Sequence, residues 1–376
     1  MRTAGRAGRL TERGLQSAVD DGLLRRRLTS QLLAGSPVRG SGAPAVVTER
    51  LLAIQAQDPR GARLAIRARS AGATAADVDR ALDAAELLIT WLCRGTLHLV
   101  RAEDYPLLQA LTAPQMITGS DRRLNQEGVG ARQARRGVHL IERSLRDDGP
   151  LGGGELRARV SAAGIPVAGQ AMTHLLFRAA LEGRIVRGPM AGGSEQRYAL
   201  VADWLPRAAG EVARIAADRD RSLRELALRF LAGHAPACDR DLARWAGLPL
   251  RDARAGLDAL GDRLRVWDGG LVSLAGAPRV AESPPPRLLG AFEPVLMGWR
   301  SRTLVLGDHD ARIVTGGIFR AFAFAPGPNA PAGEPVAIWR IGRTGVELEP
   351  LRALEDSLRE ALARDGEQVM RFLGRA

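Results

Sequence analysis

An internal repeat constrains the fold of this chain more than any other feature. Glu155-Leu156 and Asp241-Leu242 each open a helix that ends in a turn, Gly164-Ile165-Pro166 in one copy and Gly247-Leu248-Pro249 in the other. A further helix follows in both. In the earlier copy its apolar positions are Met172, Leu175, Leu176 and Ala179, and in the later copy they are Ala253, Leu257 and Leu260. Spacings of three and four residues place such positions on one buried helical face. A preceding helix is marked by Val138, Ile141 and Leu145 in one copy and by Leu223, Leu226, Ala227, Phe230 and Leu231 in the other. Two strands close each copy. They lie at Arg184-Ile185-Val186 and Tyr198 to Val201, joined through Gly192-Gly193, and around Val266 and Leu271. Three helices followed by a hairpin is the plan of a winged helix.

The beginning of the chain follows the same plan. Leu15, Val19 and Leu23 mark a first helix from Leu10 to Arg27 with a basic end, Val47, Leu51 and Ile54 a second, and Val78, Leu82 and Ala85 a third from Thr74. Leu87 to Cys93 and Thr96 to Val100 then read as strands turned at Arg94-Gly95. We therefore expect an α+β protein with three tandem winged helices at 10–118, 119–208 and 209–276, after a basic tail at 1–9. Pro284-Pro285-Pro286 stiffens a linker at 277–286. A β-rich domain at 287–376 is expected beyond it. Its predicted strands lie near Arg302 to Leu306, Arg312 to Thr315, Ile318 to Phe324, Val336 to Ile341 and Val346 to Leu348, and a helix runs from Leu351 with Leu354, Leu358 and Leu362 inward. Gly316-Gly317 is the hairpin signal in that domain.

The chain carries 54 arginines and no lysine against 42 acidic residues, a net charge of +12. That excess suits a polyanionic partner, with DNA the first expectation. The lack of lysine excludes a P-loop of the usual kind and a lysine Schiff base. No apolar run approaches the roughly 18 residues of a membrane span, and the first residues lack the apolar core of a signal peptide. A cytoplasmic, nucleoid-associated protein is expected. Cys93 and Cys238 have no metal-like spacing and read as buried small hydrophobes. His234 and Cys238 are four apart but lack two further ligands nearby, so no metal is expected.

The stretch Arg50 to Pro59 holds two glutamines, Gln55 and Gln57, around Ala56. Taken by itself, Gln-x-Gln reads first as a helix-end feature. Residues two apart share a face only on extended backbone, so both glutamines can address one site only if the helix loosens there. Pro59 pushes Asp58 out of the α region and predicts a helix end at about this point.

With these pieces placed, the sequence resembles the AlkZ-like winged-helix DNA glycosylases. The likeness rests on LTERGL from Leu10, IQAQDP from Ile54, CRGTLHLV from Cys93, AEDY from Ala102 and LLGAFEPVLMGWRSR from Leu288 to Arg302. It implies tandem winged helices wrapped as a C-shaped protein around double-stranded DNA, acting without a cofactor as a monomer. It also implies catalytic Gln55 and Gln57. A related branch has aspartate at the second place, so Gln57 puts this chain nearer the branch associated with bulky lesions, interstrand crosslinks and antibiotic self-resistance. The family's carboxy-terminal motif usually has aspartate where Glu293 and Ser301 stand here. The second change removes a carboxylate expected to hold Arg302.

A purine alkylated at N7 or N3 is already a cationic leaving group, so two neutral amides suffice to place a water and face an oxocarbenium-like transition state. Asp58 is a rival catalytic residue, its other role being a turn or cap beside Pro59. His98 is a candidate sugar or phosphate contact, with a structural strand histidine as its alternative. Asp104 and Tyr105 begin a helix, the acid in its first turn and the ring in the core. Arg94 and Thr96 at the first wing, and Arg312 and Arg320 around Gly316-Gly317, are candidate DNA contacts. Without a lysine, and unless the amino terminus substitutes for one, the enzyme is expected to be monofunctional, leaving an abasic site. The competing readings are a non-catalytic winged-helix transcriptional regulator and a protein that sequesters a drug.

Overall fold

The computed structural model describes residues 12–192 and 195–375. Expectations for the 1–9 tail, Leu10, Gly193 and the side chains of Leu15 and Val19 fall outside the described residues and side chains.

Helix periodicity in the sequence carries over directly. The Ala171–Leu181 helix buries Met172, Leu175, Leu176 and Ala179, and the Leu250–Asp258 helix buries Ala253 and Leu257. In the second repeat the helices Ala131–Asp148, Gly153–Ala162 and Ala171–Leu181 lead into strands Ile185–Met190 and Gln196–Leu200. In the third, Arg219–His234, Asp239–Ala246 and Leu250–Asp258 lead into Leu264–Trp267 and Leu271–Leu274.

The first repeat departs from its prediction at Pro59. The helix before the glutamines, Ala43–Leu51, stops at Leu52, whose φ of 62° breaks the helical path. Pro59 does not follow that helix as its terminator. It starts another, Pro59–Arg69, where its missing N–H is no loss and its fixed φ suits the first turn. Asp58 caps this helix, accepting from the N–H groups of Arg60 at 2.9 Å and Gly61 at 3.2 Å. From Gly61 to Arg69 the helix is buried although it carries Arg63, Arg67 and Arg69.

Two of the predicted wings are parts of a single sheet. Ile54–Gln55, Thr96–Arg101, Leu87–Leu92, Ile185–Met190 and Gln196–Leu200 are neighbours in that order, with Ile89 opposite Arg187 at the junction. Side chains alternate between its faces. Ile54, Ala56, Leu87, Ile89 and Leu99 enter one apolar cluster with Leu288, Val336, Trp339 and Phe372 of the carboxy-terminal part. Leu88, Leu92 and Val100 enter another with Leu28, Tyr105, Phe230, Trp245 and Trp299. The sheet that carries Gln55 is thus covered on both sides. Leu51, Leu52 and Ile54 are fully buried around the end of the helix, each stabilising the fold by roughly 1.5–3 kcal/mol.

The carboxy-terminal sheet runs Arg287–Leu289, Phe322–Gly327, Ala330–Ile341, Val346–Pro350, all antiparallel. Four predicted elements shift. Arg302 to Leu306 is a short helix, Thr303–Leu306, in place of a strand, and Arg312 lies in another, Asp310–Ile313. The strand predicted from Ile318 to Phe324 divides at Arg320, with Ile318–Phe319 pairing locally to Val314–Thr315 across Gly316-Gly317. The final helix, Asp356–Phe372, starts five residues later than predicted. Leu354 is buried ahead of it, while Leu362, Val369 and Phe372 form its inward face.

No described helix is long and apolar enough to cross a membrane.

Candidate active site

The chain leaves the Ala43–Leu51 helix, turns at Leu52 and becomes extended. Ile54 and Gln55 pair with Leu99 and His98, and the Ala56 N–H donates to the Leu97 carbonyl at 2.7 Å. The helix has therefore loosened before Gln55, whose backbone is held extended by strand pairing, and Gln57 follows in a bend. Ile54 and Ala56 point into the core and Gln55 lies on the opposite side, 6% exposed, while Gln57 is exposed to solvent.

Gln55 belongs to a polar row across the sheet. His98 is the direct partner of Gln55 on one side and of Thr90 on the other. Directly opposed residues share a face, with Cβ atoms roughly 4.5–5.5 Å apart. Thr96, two residues from His98 on the same strand, lies on that face as well. Gln55 Oε1, Thr90 Oγ1 and Thr96 Oγ1 are buried with no hydrogen-bond partner. His98 Nδ1 is 2.8 Å from the Thr96 carbonyl oxygen. Since a carbonyl only accepts, Nδ1 carries the proton and Nε2 presents a lone pair. Burial, assisted by nearby Arg94, pushes the His98 pKa down to about 3, so the ring is neutral at neutral pH. The site offers neutral amides, an uncharged imidazole and hydroxyls. Its adjacent carboxylate, Asp58, is the helix cap already described.

Thr90 was not singled out in the sequence. A threonine between leucines in Leu87-Leu88-Ile89-Thr90-Trp91-Leu92, on the face of Leu88 and Leu92, is the signal that could have found it.

Arg94 faces inward. Its guanidinium donates to the carbonyls of Trp245 and, at 3.2 Å, Arg244. These lie at the end of the Asp239–Ala246 helix, where a cation suits the exposed carbonyls. Burial lowers its pKa. Arg312 and Arg320 flank the Gly316-Gly317 hairpin, remote in sequence from the glutamines, and both bind Glu349, at 3.0 and 3.1 Å. Asp104 makes no cap bond. It is buried and pairs with Arg101 and Arg229, both at 2.8 Å. Tyr105 is fully buried and its hydroxyl pKa is raised by desolvation. His234 stacks on Phe230 at 4.7 Å between Trp245 and Trp299, and no described group of three His, Cys, Asp or Glu could hold a metal ion. Cys93 is buried as expected, but Cys238 is only partly so, because it stands at the start of the Asp239–Ala246 helix.

The sequence profile described as DNA glycosylase AlkZ-like matches residues 48–372, which include the glutamines, the polar row and the carboxy-terminal sheet. The chain belongs to this family. It is a DNA glycosylase in class, with DNA repair as its setting. Among solved structures, the Streptomyces sahachiroi DNA glycosylase AlkZ is similar over 94% of this chain and 96% of its own, with a TM-score of 0.72 and 21% identity. At that identity the likeness is one of fold. No curated protein matches the sequence.

The two departures from the usual AlkZ-like motif have structural answers. Glu293 is fully buried and accepts from Arg69 at 2.5 Å. Ser301 stands just ahead of the Thr303–Leu306 helix, its hydroxyl accepting from the Thr303 N–H at 3.2 Å, and Arg302 is held by Asp310 at 3.0 Å in place of a carboxylate at 301.

Proposed function

We propose that this glycosylase hydrolyses the N-glycosidic bond of purines alkylated at N7 or N3, including bulky natural-product adducts and crosslinks, with Gln55 and Gln57 serving the attacking water. The observation that supports the proposal is a pair of neutral amides two residues apart where the chain leaves the helix, Gln55 buried on a strand and Gln57 exposed to solvent in the bend that follows. Amides can orient a water and present a negative dipole end to a developing oxocarbenium ion, but they are weak general bases. They suit a leaving group that is already cationic. The C1′–N bond breaks with its electron pair passing to the purine, which neutralises the ring. Water oxygen bonds C1′, and a proton is released to solvent. Antibiotic self-resistance is the setting that the Gln57 branch suggests.

The same proposal includes a monofunctional enzyme, since the sequence has no lysine to form a Schiff base. A borohydride-trapped adduct at the abasic site would count against that part. The three winged-helix units at 10–118, 119–208 and 209–276, a monomeric state and association with the nucleoid also belong to it. Arg312 and Arg320 at the hairpin are its candidate phosphate contacts.

The deciding experiment is release of 7-methylguanine, 3-methyladenine and a bulky N7 adduct from duplex DNA by the wild type, Gln55→Ala and Gln57→Ala, with duplex affinity measured alongside. Release by the wild type, lost in the variants at unchanged affinity, is the expected result. Absence of release combined with sequence-selective binding to intact duplex would overturn it in favour of a regulator.

A further inference from the structure

Gln55 presents a contradiction that its neighbours resolve. Its carbonyl oxygen is the inward end of the amide, buried without a donor, although an oxygen facing the reaction is the end that the proposed chemistry needs. An amide's oxygen and nitrogen exchange places by a half-turn about the last side-chain torsion, and the hydrogen-bond network decides which is correct. Here the inward neighbour in register is His98. Its Nδ1 proton is committed to the Thr96 carbonyl at 2.8 Å, so the other ring nitrogen can only accept. An acceptor beside the buried end of an amide calls for the NH2 group at that end. The opposite arrangement sets oxygen against a lone pair and leaves the buried Gln55 oxygen without a donor.

We propose that His98 is a positioning residue for Gln55: its Nε2 accepts from the Gln55 side-chain NH2, which turns the Gln55 carbonyl oxygen outward to the water and the sugar. The proposal rests on the catalytic reading of Gln55 given above. The polar row explains why the arrangement is built into the sheet. Strand pairing fixes His98 opposite both Gln55 and Thr90, and the Thr96 carbonyl on the same strand fixes the tautomer. Desolvation keeps the ring unprotonated over the working pH range, since its pKa is pushed down to about 3. A protonated ring would offer a donor at Nε2 and turn the amide the other way.

The test uses the full chain and four variants: His98→Ala, His98→Gln, Gln55→Ala and the double His98→Ala/Gln55→Ala. Single-turnover release of 7-methylguanine from duplex DNA is followed at saturating enzyme, together with duplex affinity. We expect His98→Ala to lower the release rate on the order of tenfold or more at unchanged affinity, and His98→Gln, which restores an acceptor, to recover part of the loss. In the Gln55→Ala background, removing His98 should cost nothing further, because His98 acts through Gln55. An equal loss in both backgrounds, or a wild-type rate in His98→Ala, overturns the proposal. A second readout does not depend on turnover. In NMR spectra the Gln55 side-chain NH2 should be protected from exchange, and the protection should disappear in His98→Ala and return in His98→Gln. An NH2 signal indifferent to residue 98 also overturns the proposal. Wild-type protein that releases no alkylated base while the NH2 signal follows residue 98 would sink the glycosylase substrate reading and leave the His98–Gln55 contact standing.

Discussion

Arg69 and Glu293 form an ion pair in which both side chains are fully buried, Nη2 to Oε1 at 2.5 Å. Arg69 also donates to the Gln31 carbonyl at 2.6 Å and to Gln31 Oε1 at 3.0 Å. The pair ties the helix that Asp58 caps, just after the glutamines, to the Leu288 to Arg302 motif far along the chain. Two further arginines extend the clamp, Arg67 to Asp365 at 2.5 Å and Arg63 to Asp79. Glu293→Gln should destabilise the protein by about 3–5 kcal/mol, since it leaves Arg69 buried without its counter-charge. Glu293→Asp keeps the charge and should cost less. Urea denaturation of both variants checks the order, and equal stability of wild type and Glu293→Gln would contradict this account.

The same contact depends on Gly61. A Cβ built there would lie 2.3 Å from the Ala291 carbonyl oxygen. Backbone cannot yield as a flexible side chain can, so Gly61→Ala should cost on the order of 1–3 kcal/mol and push apart the helix and the turn at Ala291. A lowered melting temperature accompanied by slower base release is expected. An unchanged melting temperature would mean that the two segments can separate freely.

Asp58 caps a helix through one carboxylate oxygen, and asparagine can make the same bond. Asp58→Asn should retain base release and stability, whereas Asp58→Ala should lose about 1 kcal/mol of stability. Base release abolished in a stably folded Asp58→Asn variant would move the chemistry from the glutamines to the carboxylate.

Glu349 neutralises both hairpin arginines, and the two guanidinium groups hold its pKa below the usual carboxylate value. Glu349→Gln should release Arg312 and Arg320 for phosphate. Duplex affinity should rise several-fold at low salt, and the slope of log K against log salt should steepen by about 0.9 for each additional phosphate neutralised. An unchanged slope would remove this hairpin from the DNA interface.

His98 and His234 are both buried and both pushed by desolvation from the ordinary 6.5 down to about 3. The folded state therefore binds fewer protons than the unfolded state between these values, and stability must fall as pH drops below 6.5. Each histidine should cost about 2 kcal/mol by pH 5 relative to neutral pH. Denaturation midpoints from pH 7.5 to 5 read the combined loss, and histidine ring shifts should stay those of the neutral form throughout. Protonation of either ring near pH 6 would refute the assignment.

The helices and hairpins of the three repeats were legible because they rest on local regularities: apolar spacing along a helix, alternation along a strand, and glycine and proline at the turns. The Pro59–Arg69 helix was not legible. Its buried positions include three arginines, which read as solvent-facing until Asp79, Glu293 and Asp365 are brought beside them. Only tertiary contact decides whether such charges are paired or hydrated. Gln55-Ala56-Gln57 was conspicuous in the sequence, and so was the need for extended backbone at that point. That Gln55 is buried against His98 while Gln57 is open depends on which strand receives Ile54 and Gln55, a pairing between residues more than forty positions apart. The fusion of two hairpins at Ile89 and Arg187 has the same origin. The sequence by itself determined most of the helices and hairpins and marked the glutamine pair. The tertiary structure decided which face each element buries, because register and ion pairing join residues whose local patterns carry no record of one another.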